Sequence, residues 1–151
     1  MKTFLSIGTG PGIGLSTAER FAREGFRVIV SARTLEKTNS IAEKLKAKGY
    51  QAEARTVEAS DPQSIEALVT SVEKEFGAID VLHYNAASMR QATIQDQPNE
   101  TLVTDLAVNI GGALAAIQAA TAKMIENKAG TILLTGGGFA LYPHPDYISL
   151  S

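Results

Sequence analysis

The sequence predicts an α/β domain in which a parallel sheet is covered by helices on both faces. Three observations carry the prediction. Short apolar segments alternate with segments of helical periodicity along the whole chain. A glycine-rich turn, Gly8-Thr9-Gly10-Pro11-Gly12-Ile13-Gly14, joins the first strand to the first helix. The unusual polar and glycine residues follow the strands, on the rim where open α/β sheets bind ligands.

The elements follow in order. Thr3-Phe4-Leu5-Ser6-Ile7 is an apolar strand, and after the glycine turn Leu15, Ala18, Phe21 and Ala22 form one helix face that Gly25 ends. Arg27 to Ser31 is the second strand. Thr34 caps a helix running through Lys48, with Ile41 and Leu45 inward and Gly49 as its stop. Gln51 to Val57 is the third strand. Asp61-Pro62 starts a helix with a capping residue and a proline at its first position; it buries Ile65, Leu68, Val69 and Val72 and ends at Gly77. Ile79 to His83 is the fourth strand. A polar loop, Ser88 to Pro98, leads to the longest helix, Asn99 to Asn127, striped by Leu102, Leu106, Ile110, Leu114, Ile117 and Met124. Thr131 to Leu134 is the fifth strand, followed by Gly136-Gly137-Gly138 and a proline-rich loop. Right-handed crossovers then predict the strand order 3-2-1-4-5.

Composition narrows the function classes. The 151 residues make one domain, 1–151, and 44% of them are hydrophobic, enough for a real core. There is no cysteine, so no disulfide framework and no thiolate site, which suits a reducing, cytoplasmic setting. No cluster of metal-binding residues is expected. The N-terminal apolar run is too short for a signal peptide, and the window Ile110 to Ile125, with Gln118 and Lys123, is expected to fall short of a membrane span. A net charge of −2 argues against a nucleic-acid partner. Residues 1–60 carry ten Lys/Arg and six Asp/Glu, whereas the remainder carries four and ten. A basic first half suits a polyanionic ligand, though a solvated helix face of this charge is common.

The glycine turn has the makings of a phosphate cradle. Glycines let the chain turn with positive φ and let a diphosphate approach the backbone. The helix beginning there offers unpaired N–H groups and the positive end of its dipole. Further ligand-ready residues follow the other strands: Ser31 to Arg33 after the second, Glu58 after the third, Asn85 after the fourth and Thr135 to Gly138 after the fifth.

These residues together resemble the short-chain dehydrogenase/reductase family, which uses a Rossmann fold to move a hydride between NAD(P) and a carbonyl or alcohol. The family's T-G-x-x-x-G-x-G is similar to Ile7-Gly8-Thr9-Gly10-Pro11-Gly12-Ile13-Gly14, with Ile7 in the threonine's place. Its N-N-A-G resembles Tyr84-Asn85-Ala86-Ala87, and its long-helix asparagine matches Asn109. The resemblance implies cofactor contacts at Gly8, Gly10, Gly12, Ile13, Gly14, Asn85 and Ala86, with Glu58 where an adenine-contacting Asp stands. The second strand ends in Ser31-Ala32-Arg33, with no carboxylate for a ribose 2′-hydroxyl. A guanidinium can hold a 2′-phosphate, so NADP(H) is expected over NAD(H).

The catalytic end departs from the family pattern. The resemblance assigns proton exchange to Tyr147 and support of a relay water to Asn109, but Ser151 stands where the assisting lysine belongs. Gly137 stands near the expected serine, leaving Thr135 as the nearest hydroxyl; Tyr142, His144 and Ser149 are substitutes for the tyrosine. An unassisted tyrosine, with pKa about 10, keeps only about a thousandth of its phenolate at pH 7, a deficit of about 4 kcal/mol. The family continues beyond this length, so the chain is expected to be truncated after strand five and active only in complete form. Two functions follow. One is an NADP(H)-dependent oxidoreductase of small carbonyl or alcohol substrates, a homodimer or homotetramer through the long helix, whose small residues Gly111 to Ala120 otherwise pack on its own sheet. The alternative is a non-catalytic NADP-binding sensor or scaffold.

Overall fold

β1 (Thr3–Ile7), β2 (Arg27–Ala32), β3 (Ala52–Thr56), β4 (Val81–Tyr84) and β5 (Thr131–Leu134) pair in parallel in the order β3-β2-β1-β4-β5. The computed structural model describes residues 1–151. Every residue of β1 is buried, as a strand covered on both faces requires. Successive side chains point to opposite faces. Phe4, Val28, Val30 and Val81 therefore pack under α1 (Ile13–Arg23) and α2 (Leu35–Lys46), with Ala18, Ala22, Ile41 and Leu45. Leu5, Ile7, Ile29 and Leu82 pack on the other face against α3 (Pro62–Phe76) and α5 (Ala113–Glu126), through Ile65, Val69, Val72, Ala116 and Ala120. Burying each large aliphatic side chain there contributes about 1.5–3 kcal/mol.

Local chemistry sets the boundaries. Asp61 caps α3 by accepting the Gln63 N–H at 2.9 Å, Pro62 follows, and Gly77 ends the helix at φ +84°. Thr34 occupies the N-cap of α2 but its hydroxyl makes no capping bond. Instead its carbonyl accepts both the N–H and the hydroxyl of Thr38. α2 ends at Lys46, two residues before the predicted last residue Lys48, and β2 runs one residue further, to Ala32. β4 begins at Val81 rather than Ile79, because the Asp80 carboxylate accepts the Thr3 N–H at 2.7 Å ahead of the ladder.

The long helix differs from its prediction in two ways. It is broken into α4 (Asn99–Leu106), a π-helical turn (Ala107–Gly112) and α5. Its inward face is also not the leucine and isoleucine stripe: Leu106, Ile110 and Leu114 are exposed, and Gly112, Ala116, Ala120 and Met124 are buried. The cause is close approach. A Cβ at Gly112 would overlap the Ala59 carbonyl and the Tyr84 hydroxyl, so only the smallest residues face the sheet there. The small-residue run thus packs on its own chain. Asn99–Glu126 is 28 residues long with mean hydropathy 1.4 over its most apolar window, long and apolar enough to cross a membrane, contrary to the expectation from Ile110 to Ile125. Mostly buried core helices of soluble proteins reach the same values, whereas 17% of this window is buried.

Candidate functional site

The carboxyl ends of β1 to β4 surround a cavity of about 580 Å³; Thr135 to Gly138, after β5, do not line it. Of the residues singled out in the sequence, Gly8, Gly10, Arg33, Glu58, Asn85 and Ala86 line it. Gly12, Ile13 and Gly14 lie outside its lining, at the start of α1. Another hollow of about 480 Å³, lined by Arg27, Tyr50 and Arg55 among others, lies along β3 and shares no residue with this rim.

The glycines divide into two kinds. Gly8 adopts φ +83°, and a Cβ there would overlap the backbone of Ala86; one at Gly14 would press on Thr9. These two let the turn pack against β4 and against itself. Gly10 and Gly12 are different, because a Cβ on either meets nothing within 4 Å. Hydrogen bonding at the head of α1 begins with the Leu15 N–H to Gly10 and the Ser16 N–H to Gly12, and the N–H groups of Gly12, Ile13 and Gly14 have no acceptor in the chain. A bare strip of backbone ending in free N–H groups could hold an anion such as a diphosphate.

Side chains lock this loop in place. Asn85 donates its Nδ2 to the Gly8 carbonyl at 2.9 Å, and its N–H bonds Ile7 at 2.8 Å. Thr9, buried, donates its hydroxyl to the Ser6 carbonyl and accepts the Ser31 N–H, both at 3.2 Å. Ser31 donates its hydroxyl to the same Ser6 carbonyl at 2.7 Å. The sequence reading named Ser31 only as a ligand-ready residue after the second strand and gave Thr9 and Ser6 no role; the only hint of this network was three small hydroxyls at or beside strand ends. Glu58 accepts from the backbone and the hydroxyl of Ser60, which hold its carboxyl below the usual range, and the Arg33 charge adds to this. Arg33 itself is exposed at the rim.

The wall beyond β4 is built on a buried carboxylate. Asp105 is wholly inaccessible and takes hydrogen bonds from Arg90 Nε (2.9 Å) and Nη2 (3.3 Å), Ser88 Oγ (2.5 Å) and Gln97 Nε2 (3.2 Å). Burial alone would raise its pKa; the bonds from Arg90, Ser88 and Gln97, with the Arg90 charge, outweigh burial and hold the carboxyl down at about 2. Tyr84 lies beneath the π-helical turn and donates its hydroxyl to the Val108 carbonyl at 2.5 Å. Burial first, then the Glu58 charge, raises its pKa to about 12, so it stays a phenol. Ser88, Arg90 and Val108 all line the cavity.

The predicted catalytic residues are placed less simply. Asn109, in the π-helical turn, directs its amide to the backbone of Ser88 and does not line the cavity. Tyr147 stacks on Phe139, ring centres 4.9 Å apart, meets His144 edge-on, and pairs through its backbone with Ala92. Its hydroxyl has no partner, and it too lies outside the cavity lining. Thr135 is exposed and lies outside the cavity lining, but its Oγ1 is 3.0 Å from His83 Nε2, whose Nδ1 is 3.2 Å from Ser6 Oγ. Burial lowers the His83 pKa, leaving a neutral ring with one donor and one acceptor. Tyr142 is exposed, His144 Nδ1 accepts the Asp146 N–H, and Ser149 is buried with its hydroxyl unpartnered.

Comparison with known proteins agrees with the fold. A family model described as short chain dehydrogenase matches residues 2–149. The 3-oxoacyl-[acyl-carrier-protein] reductase FabG of Staphylococcus aureus is 32% identical over 133 residues, covering 87% of this chain and 54% of that protein. The structure of an actinorhodin polyketide ketoreductase with NADPH superposes with TM-score 0.93 at 26% identity, over 99% of this chain and 58% of that one. NAD⁺-bound xylitol dehydrogenase gives TM-score 0.92 at 28% identity, over 99% and 58%. The chain thus spans about half the length of the curated relatives it matches.

Proposed function

The chain belongs to the short-chain dehydrogenase family, and from that premise we propose that it is the dinucleotide-binding domain, residues 1–151, of an NADP(H)-dependent oxidoreductase acting on small carbonyl or alcohol compounds. One observation carries the reading. The bare backbone of Gly10 and Gly12, with the free N–H groups that follow it, adjoins a rim whose β2 end supplies Arg33 and no carboxylate.

In this reading Gly10, Gly12, Ile13 and Gly14 receive the diphosphate, and Gly8 provides the turn that brings it close to β4. Arg33 pairs with the 2′-phosphate, Glu58 stands at the adenine side, and Asn85 and Ala86 form the floor. The cofactor, when bound, supplies or takes up a hydride. The chain's own task is to orient and to manage the proton: Tyr147 is the proton donor, and Asn109 acts by holding the loop at Ser88. The exposed Leu106, Ile110 and Leu114 favour a homo-oligomer through α4 and α5; a native mass equal to one chain by light scattering would remove that assignment. With Gly112, Ala116 and Ala120 taken up by the sheet and no cysteine in the chain, a cytoplasmic protein without membrane or nucleic-acid partners is the consistent setting.

A specific observation favours a second reading, a non-catalytic NADP sensor or scaffold: Tyr147 lies off the cavity lining, with Ser151 four residues on instead of a lysine. Calorimetry with NADPH and NADH, followed by a carbonyl panel on the whole protein, separates the two. NADPH should bind about ten- to a hundredfold more tightly than NADH, and Arg33→Ala should erase most of that gap. Equal affinities overturn the cofactor assignment. NADPH binding without turnover selects the sensor.

A further inference from the structure

We propose that Arg90 is a carboxylate-binding residue on the cavity wall, so that the substrate class is an anionic carbonyl compound, an oxo acid. The inference rests on the nucleotide-site reading above and deepens it. A guanidinium carries five N–H donors in a rigid fork. Asp105 occupies one edge, through Nε and Nη2, while Nη1 has no partner in the chain and Arg90 lines the cavity with 37% of its side chain accessible. The partner carboxylate cannot repel an incoming anion by contact. It is sealed, and its oxygens are already taken by four donors. Arg90 thus brings to the cavity wall a guanidinium with unpartnered N–H groups, held in place by a buried anchor, which lowers the cost of ordering it on binding.

Topology assigns this cation to the substrate side. The glycine turn follows β1, the central strand; Arg33 follows β2 on one side of it, and Arg90 lies in the loop after β4 on the other. A dinucleotide whose 2′-phosphate meets Arg33 crosses the turn toward β4, leaving Arg90 for what lies past it. Glu58 is the only carboxylate lining the cavity, and it follows β3, two strands from β1. In the reaction the oxo carbon gains a hydride, its oxygen gains a proton, NADPH becomes NADP⁺, and the carboxylate on Arg90 is unchanged.

The test is binding, so it does not depend on turnover. The whole protein in NADP⁺ is titrated calorimetrically with pyruvate against pyruvamide, and with phenylglyoxylate against its amide. At least one carboxylate should bind about tenfold or more tightly than its amide, as a hydrogen bond between ions allows. Arg90→Ala leaves a buried carboxylate alone and can fail to fold, so the deciding variant is R90Q/D105N, which keeps a hydrogen-bonded neutral pair. It should abolish the difference while NADP⁺ affinity stays the same, and Arg90→Lys should restore part of it. Equal binding of acids and amides, or a preference that survives in R90Q/D105N, overturns the proposal. If NADP⁺ itself fails to bind, the nucleotide reading falls, and the same titration without nucleotide still decides Arg90.

Discussion

Asn109 grips the backbone of Ser88 with both ends of its amide, Oδ1 accepting the N–H at 2.7 Å and Nδ2 donating to the carbonyl at 3.2 Å. The π-helical turn that carries Asn109 is thereby tied to the loop that walls the cavity. Replacing Asn109 by Ala removes both bonds and leaves the Ser88 groups partly buried without partners, at a cost of about 1–3 kcal/mol. Urea unfolding should register the loss, and hydrogen exchange should quicken at Ser88. Unaltered exchange would mean that the grip does not hold in solution.

The two kinds of glycine in the first turn should respond oppositely to substitution. Gly8→Ala places a Cβ against Ala86 at a positive φ, so it should lower stability by about 1–3 kcal/mol or more. Gly12→Val meets open space at the mouth of α1 and should leave the fold intact, yet abolish NADPH binding by occupying the approach to the backbone. Melting temperature and calorimetry measured on both proteins check this. A Gly12→Val protein with undiminished affinity takes that residue out of the site.

Asp105 makes stability pH-dependent in a defined window. Its carboxyl lies at about 2 in the folded protein against an ordinary value of 3.8, so its contribution is present above the ordinary value and is lost as pH falls toward 2. Asp105→Asn should cost roughly 1–2 kcal/mol at pH 7 and at pH 5 alike. The gap should narrow to about half by pH 3 and close as pH falls to about 2 and below. A gap that stays constant down to that pH would assign the loss to packing instead of charge.

Much of this protein was legible from sequence because the signals are local. The five strands, the glycine turn and the Asp61-Pro62 helix start each depend on residues within one turn or strand, and parallel order followed from the handedness of crossovers. Residues on the rim were legible too, since strands alternating with helices place every strand's carboxyl end on the same side. The inward face of the long helix was not. Hydrophobicity pointed to Leu106, Ile110 and Leu114, but at Gly112 the approach of Ala59 and Tyr84 leaves no room even for a Cβ, and that distance exists only once β4 and the π-helical turn meet. The wall of the cavity was decided by tertiary structure as well. Asn85 reaches Gly8 across 77 residues, Asn109 reaches Ser88 across 21, and Arg90 reaches Asp105 across 15. No periodicity links such pairs; they form because folding removes water from Asp105 and the Ser88 backbone, and each must then find its partner within the protein.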